Sequence, residues 1–176
     1  MTLTSVAPPH LPCGIPKPGE TEQLMPHIGW VNAVPDAVAS VDLQINGTAL
    51  SFSGPGYHDK NCGDQPFLNS TASWYWGRGR LGPYSIVWFD ARSLVDGEEY
   101  FSAYVARGGR MVGGGCVAGE SVVVRPWGGD AAYPPLTTSA DPERFELVFA
   151  EVEGREMRVN VKNSIATVKV PGLYNR

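Results

Sequence analysis

A phenol, an imidazole and a carboxylic acid occupy three consecutive positions at Tyr57-His58-Asp59, inside a run from Gly56 to Gly63 that reads Gly-Tyr-His-Asp-Lys-Asn-Cys-Gly. Soon after comes Trp74-Tyr75-Trp76-Gly77-Arg78-Gly79-Arg80, leading into Pro83-Tyr84-Ser85-Ile86-Val87-Trp88-Phe89-Asp90. Residues of these types can deliver a proton and then hold a developing cation against indole faces. A carboxyl set in an apolar cavity keeps its proton nearer neutral pH, the state a general acid requires. Asp59 is therefore the first candidate donor and His58 the second, with Tyr57 beside them. The plainer alternative is a turn in which Asp59 caps backbone N–H groups while its two neighbours sit half exposed. The flanking Gly54-Pro55-Gly56 and Gly63 allow tight bends, which would present the triplet at a sheet rim.

Period two along the segment from Ser73 places Trp74, Trp76 and Arg78 on one face, with Tyr75 and Gly77 on the other. In the next segment Tyr84, Ile86 and Trp88 share a face, opposite Ser85, Val87 and Phe89. If the two segments pair, aromatic rows stack across them, as a binding wall or as ordinary core. Arg78 in the row argues for a site, because a buried guanidinium needs a carboxylate or carbonyl partner. Asp59 is a candidate for that partner.

Other chemistries have less support. His10, His27 and His58 are far apart and lack metal-ligand spacing, so no metal is expected. There is no Gly-x-Ser-x-Gly, and Cys62 has only His58 nearby as an activating group. Gly113-Gly114-Gly115 follows a strand pattern but opens no helix, so no phosphate loop and no nucleotide cofactor are expected. With 14 Lys and Arg against 18 Asp and Glu, a net charge of -4 and no basic cluster, nucleic acid is not an expected partner. No apolar run is long enough to span a membrane. Cys13, Cys62 and Cys116 are an odd count without C-x-x-C spacing, which reads as reduced thiols. Met1 to Pro12 has neither a basic n-region nor an apolar h-region, so a cytoplasmic location is expected. On that reading the triplets Asn46-Gly47-Thr48 and Asn69-Ser70-Thr71 are chance matches or relics of an exported relative.

The elements that must position these residues are strands. Alternating segments run from Ala37 to Ile45 and Thr48 to Phe52, then through Trp74–Arg78, Tyr84–Asp90, Tyr100–Ala106, Ser121–Arg125, Arg144–Ala150, Met157–Lys162 and Ile165–Val170. Asn46-Gly47 is a type I′ hairpin signal. Glycine and proline number 21 and 15, and no 3.6-residue period survives three turns. A chain of 176 residues suits one domain. The expectation is an all-β, antiparallel, barrel-like sheet with a lined interior over residues 26–176, preceded by an irregular lead-in over 1–25.

The segments Trp30-Val31-Asn32-Ala33-Val34-Pro35-Asp36-Ala37, Gly54 to Gly63 and Trp74 to Arg78 together resemble the hydroxyneurosporene synthase (carotenoid 1,2-hydratase) superfamily. The nearer likeness is to its fungal secondary-metabolism members, which include cyclases and Diels-Alderases. The resemblance implies a lipocalin-like barrel, the second of two such domains, and acid chemistry without a cofactor on a hydrophobic small molecule. Carried over by motif, Asp59 would be the proton donor, with Tyr57 and His58 tuning or relaying. Asn61 would orient substrate or water, and Trp74 and Trp76 would form the cation-stabilising wall. The strand faces themselves, apart from the resemblance, add Arg78, Tyr84 and Trp88 as candidate binding residues. Three departures matter. Cys62 stands where the family commonly has tryptophan, the companion domain is absent, and the chain ends at Gly172-Leu173-Tyr174-Asn175-Arg176. Barrel closure is then expected to draw on a second copy. The expected activity is a cyclase, isomerase or hydratase acting on a polyketide, terpenoid or alkaloid. The alternatives are a cycloaddition catalysed by positioning alone, a non-catalytic carrier, and an inactive shortened paralogue.

Overall fold

Period-two patterning broken by glycine turns yields an almost wholly β protein. The computed structural model describes residues 1–129, 131–135 and 139–162. A smaller sheet contains β1 (Thr2–Ser5), β2 (Gln23–Met25), β3 (Ile28–Ile45) and β4 (Thr48–Gly63), with β3 paired to each of the others. One helical turn, α1 (Phe67–Ser70), leads into the larger sheet. Its strands are β5 (Thr71–Leu81), β6 (Tyr84–Ser93), β7 (Glu99–Arg107), β8 (Arg110–Gly115), β9 (Val122–Trp127), β10 (Arg144–Val152) and β11 (Arg155–Lys162). This antiparallel sheet runs β11-β10-β8-β7-β6-β5, with β9 also on β10, and curls into half a barrel. The expected strand at Ile165–Val170 lies outside the described residues. Among the described residues no helix is long and apolar enough to cross a membrane.

The larger sheet has two used faces. Inside the curl, Tyr75, Ile86, Trp88, Val105, Val124, Leu147 and Phe149 form one core. The outer face packs against the smaller sheet through Trp30, Met25, Ile28, Val87, Phe89 and Tyr104. Register decides which aromatic goes where. Trp76 pairs with Phe89, Gly77 with Trp88 and Arg78 with Val87, so Trp74, Trp76 and Arg78 share the outer face with Phe89, and Tyr75 shares the inner face with Trp88. A Cβ on Gly77 would come within 2.2 Å of the Trp88 ring, so this position must be glycine for the indole to lie flat across its neighbour.

The lead-in is structured, contrary to the sequence expectation. β1 pairs with β3 from Thr2↔Ser40 to Ser5↔Ala37, and His10 bridges Asn32. The chain then crosses the larger sheet, where the Tyr104 hydroxyl donates to the Pro8 carbonyl and Ser102 to that of Pro12, each at 2.7 Å. His10 stacks on Tyr104 with ring centroids 4.2 Å apart. This crossing brings Cys13 to Cys116, just beyond β8, and the two form a disulfide closing 103 residues of sequence. The reduced-thiol reading is therefore corrected: only Cys62 is free. Cysteine spacing along the chain carried no trace of a contact made by tertiary folding.

Candidate active site

Tyr57-His58-Asp59 is not a rim turn. It lies within β4, where His58 pairs with Val34 and Gly56 with Ala37 across irregularities in the β3 register. Gly56 permits this path, since a Cβ there would meet Leu3 at 2.6 Å and Ala37 and Ala39 at 3.3 and 3.2 Å. Strand alternation sends Tyr57 and Asp59 inward, towards the larger sheet, and leaves His58 exposed on the opposite side. His58 is therefore not brought to Asp59.

Asp59 faces a cleft of about 540 Å³ between β4, α1 and the outer face of β5 and β6. Asn61, Pro66, Phe67, Leu68, Trp74, Trp76 and Phe89 complete its lining. Phe89 is the floor at 3% exposure, whereas Trp76, at 44%, stands at the solvent side. Phe67 meets Trp74 edge-on at 4.9 Å. Apart from Asp59 and Asn61 the lining is apolar or aromatic, a surface that receives an apolar ligand and presents π-faces to positive charge.

The acid is held by two donors. Trp30 Nε1 donates to Asp59 Oδ2 at 2.9 Å, and the Tyr57 hydroxyl reaches the same oxygen at 3.0 Å. Among the described residues, Asp59 Oδ1 takes no hydrogen bond and is the oxygen left to a bound molecule. Tyr57 also makes a short hydrogen bond to Asn32 Oδ1. A phenol has one hydrogen for these two acceptors. If Tyr57 donates to Asn32, Asp59 can share the contact only as the protonated acid. If Asp59 is a carboxylate, Tyr57 donates to it and the Asn32 amide turns its nitrogen to the phenol oxygen. Tyr57 can also keep its bond to Oδ2 when the acid's proton sits on Oδ1, so the cluster accommodates either state of the acid. Burial first, then the adjacent Asp59 charge, raise the Tyr57 phenol far above its usual range, so it keeps its hydrogen.

Arg78 does not pair with Asp59 among the described residues. Its guanidinium lies 5.5 Å from the centre of the Tyr57 ring, beside the cleft. The bidentate arginine is Arg80, whose Nε and Nη2 donate to buried Asp36 at 2.7–3.0 Å, with Ser85 adding a bond of 2.6 Å. Tyr84 and Trp88 lie on the inner face, away from the cleft. Tyr84 donates to Glu153 at 3.1 Å and Trp88 belongs to the inner core. The odd-to-even register of the β5–β6 hairpin is the reason. The structure thus gathers Tyr57, Asp59, Asn61, Trp74 and Trp76, with Arg78 at the margin, and leaves out His58, Tyr84 and Trp88.

Sequence reasoning gave no site role to Trp30, Asn32, Phe67, Leu68 or Phe89. Trp30 pairs directly with Asn61, and the register shifts between Val31 and Ala37 hid that placement from any alternation read along β3. It also missed a buried cluster inside the curl. Asp90, 1% exposed, accepts from Val124 N at 2.8 Å and Arg125 Nη1 at 3.0 Å. Arg125 also pairs with Glu99 at 2.9 Å, and the Tyr133 hydroxyl donates to Glu99. Burial, ahead of the Glu99 neighbour, pushes the Asp90 carboxyl up. This cluster ties β6, β7 and β9 together.

Residues 1–122 match the family model described as Diels-Alderase-like, a stretch that contains the whole cleft. The chain belongs to that family. It is 46% identical over 183 residues to the quinolone epoxide rearrangement protein asqO of Emericella nidulans, covering 99% of this chain and 49% of that protein. It is 42% identical over 169 residues to the quinolone epoxide rearrangement protein penF of Penicillium thymicola, covering 96% and 46%. Similarity to the Diels-Alderase poxQ of Penicillium oxalicum is 30% over 112 residues, covering 62% and 25%. The chain therefore spans about half the length of the first two of these curated relatives. Their names speak of rearrangement and cycloaddition, the cyclase side of the sequence expectation, and not of hydration.

Proposed function

We propose that this family member catalyses the rearrangement of a quinolone epoxide by acid catalysis, without a cofactor. The observation that carries the reading is the one carboxyl group among the described lining residues, anchored through one oxygen by Trp30 and Tyr57, facing a cleft that apart from Asn61 is apolar or aromatic. Asp59, protonated on Oδ1 while Trp30 and Tyr57 donate to Oδ2, gives that proton to the epoxide oxygen, and the C–O bond breaks to leave a hydroxyl and a carbocation. Trp74, Trp76 and Phe89 present π-faces to that cation while a bond migrates or an internal alkene captures it. The Asp59 carboxylate then takes back a proton, so the net change is an isomerisation and the site returns to its starting state. Tyr57, donating to Oδ2 throughout, holds the carboxyl in place as the proton leaves Oδ1 and returns. Asn61 at the cleft edge orients the polar end of the substrate.

The relatives' names support the substrate class, and the excess of aromatic over polar lining supports a cationic intermediate shielded from water. Incubation with a quinolone epoxide tests this. The expected product has the substrate's mass. A product heavier by one water would mean hydration, and unaltered substrate recovered in a tight complex would mean a carrier. A second reading, cycloaddition by positioning, is favoured by the family's name and the poxQ similarity. It requires the shape of the cleft but not the proton of Asp59.

A further inference from the structure

The β3–β4 hairpin extends beyond the rest of the smaller sheet. β1 accompanies β3 only as far as Ser40, so among the described residues the two strands pair from Val41 to Phe52 only with each other. At the tip, Asn46 and Gly47 adopt φ of 49° and 82°, and a Cβ on Gly47 would have nothing within 4 Å. Asn46 and Thr48 are both exposed. The tip thus displays Asn-Gly-Thr, an N-glycosylation acceptor triplet, on a turn with open space around it.

The disulfide gives this triplet a meaning the cysteine count had withheld. Cys13–Cys116 is a cross-link of the kind that persists in oxidising compartments, and these are where N-linked glycans are added. Residues far apart in sequence and chemistry point to one environment. The ribbon also has a use for a glycan. Its register pairs Leu43 with Leu50, Val41 with Phe52 and Ile45 with Thr48, which sets Leu43, Ile45, Leu50 and Phe52 on one face. They are 44%, 56%, 46% and 53% exposed. An apolar ribbon with an open edge invites pairing with other chains. In the other triplet Ser70 and Thr71 are buried at the base of the cleft wall, so the argument rests on Asn46.

We propose that Asn46 carries an N-linked glycan, added in the oxidising compartment that maintains Cys13–Cys116, and that this glycan screens the apolar ribbon. In the transfer, Asn46 Nδ2 bonds to C1 of the first sugar of a polyprenyl-diphosphate oligosaccharide. The C1–O bond breaks, its electron pair leaves with the diphosphate, and the amide gives up one proton. The test is to produce the protein from its native gene in a filamentous fungus and release glycans enzymatically in heavy-oxygen water. Peptide mass spectrometry then reads position 46. The expected result is heavy-labelled aspartate at 46, with Cys13 and Cys116 recovered as one linked pair. Unmodified asparagine at 46 in most molecules, or Cys13 and Cys116 both alkylated before reduction, would overturn the proposal. Asn46→Gln is expected to raise the aggregated fraction several-fold in light scattering, and an equally monodisperse variant would remove the screening role.

Discussion

Tyr57 is the residue through which the cleft chemistry can be separated from simple packing. Its ring lies 5.8 Å from Trp76 and its hydroxyl joins Asn32 to Asp59. Tyr57→Phe keeps the ring contact and removes the hydrogen that holds Asp59. A hydrogen bond to a charged group contributes about 1.5–3 kcal/mol, so turnover is expected to fall about 10- to 100-fold. Steady-state kinetics should place the loss in kcat with KM little changed, since the phenol touches the acid and not the apolar body of the substrate. A rise in KM at constant kcat would instead make Tyr57 a binding residue. Legibility at this scale was uneven. Asp59, Tyr57 and the two indoles were readable because an acid beside aromatic residues is a chemical statement. The exclusion of His58 was not, because it depends on the triplet lying along a strand, whereas three nearby glycines and a proline suggested a turn. The Asp36–Arg80 pair was equally hidden: both carboxylates and both arginines are plain in the sequence, but only the sheet packing selects the partners.

Strand register distributes the aromatics between two cores, and Gly77 tests it. The hairpin at Leu81↔Tyr84 forces Gly77 opposite Trp88, whose ring fills the space a side chain would need. Gly77→Ala should destabilise the fold by about 1–3 kcal/mol, because the indole must leave its place in a close-packed core. Thermal or denaturant unfolding reads this directly, and an unchanged midpoint would contradict the register. The same hairpin shows why periodicity carried the fold further than the site. Alternation correctly separated Trp74, Trp76 and Arg78 from Tyr75, and Asn46-Gly47 announced its turn. But period two gives faces within one strand. Whether Trp88 joins Trp76 depends on the parity of the turn between them, which a short Gly-Pro connection leaves open.

For the whole molecule, the lead-in acts as a strap, holding the smaller sheet on the outer face of the half-barrel by β1, His10 and the disulfide. His10 sits in this strap 1% exposed, with Nδ1 bonded to the Leu11 carbonyl at 3.0 Å. Burial lowers its imidazole from 6.5 to about 4. Below 6.5 the unfolded chain binds a proton that the folded one refuses, so stability falls as pH drops from about 6.5 to about 4 and levels off beneath. The shift corresponds to about 3 kcal/mol. Buried Asp90, raised by its surroundings, slopes the opposite way, being protonated in the fold where the unfolded chain is ionised. The His10 contribution is therefore best isolated as the difference between wild type and His10→Phe, which keeps a ring on Tyr104. That difference should change across pH 4–6.5 in urea melts, and a flat difference would contradict a buried neutral imidazole. The strap and its disulfide were not legible in a Pro- and Gly-rich segment, because the contacts that lay it on the larger sheet, Pro8 with Tyr104, Pro12 with Ser102 and Cys13 with Cys116, join residues 90 to 103 positions apart.

The central claim is that Asp59 supplies the proton, and Asp59→Asn tests it most directly, since the amide preserves shape and the Trp30 contact but not the acid. Turnover of a quinolone epoxide should fall about 10²- to 10⁴-fold, with substrate binding and the unfolding midpoint close to wild type. Turnover retained within a few-fold in the folded variant would contradict acid catalysis and leave a cleft that works by shape alone.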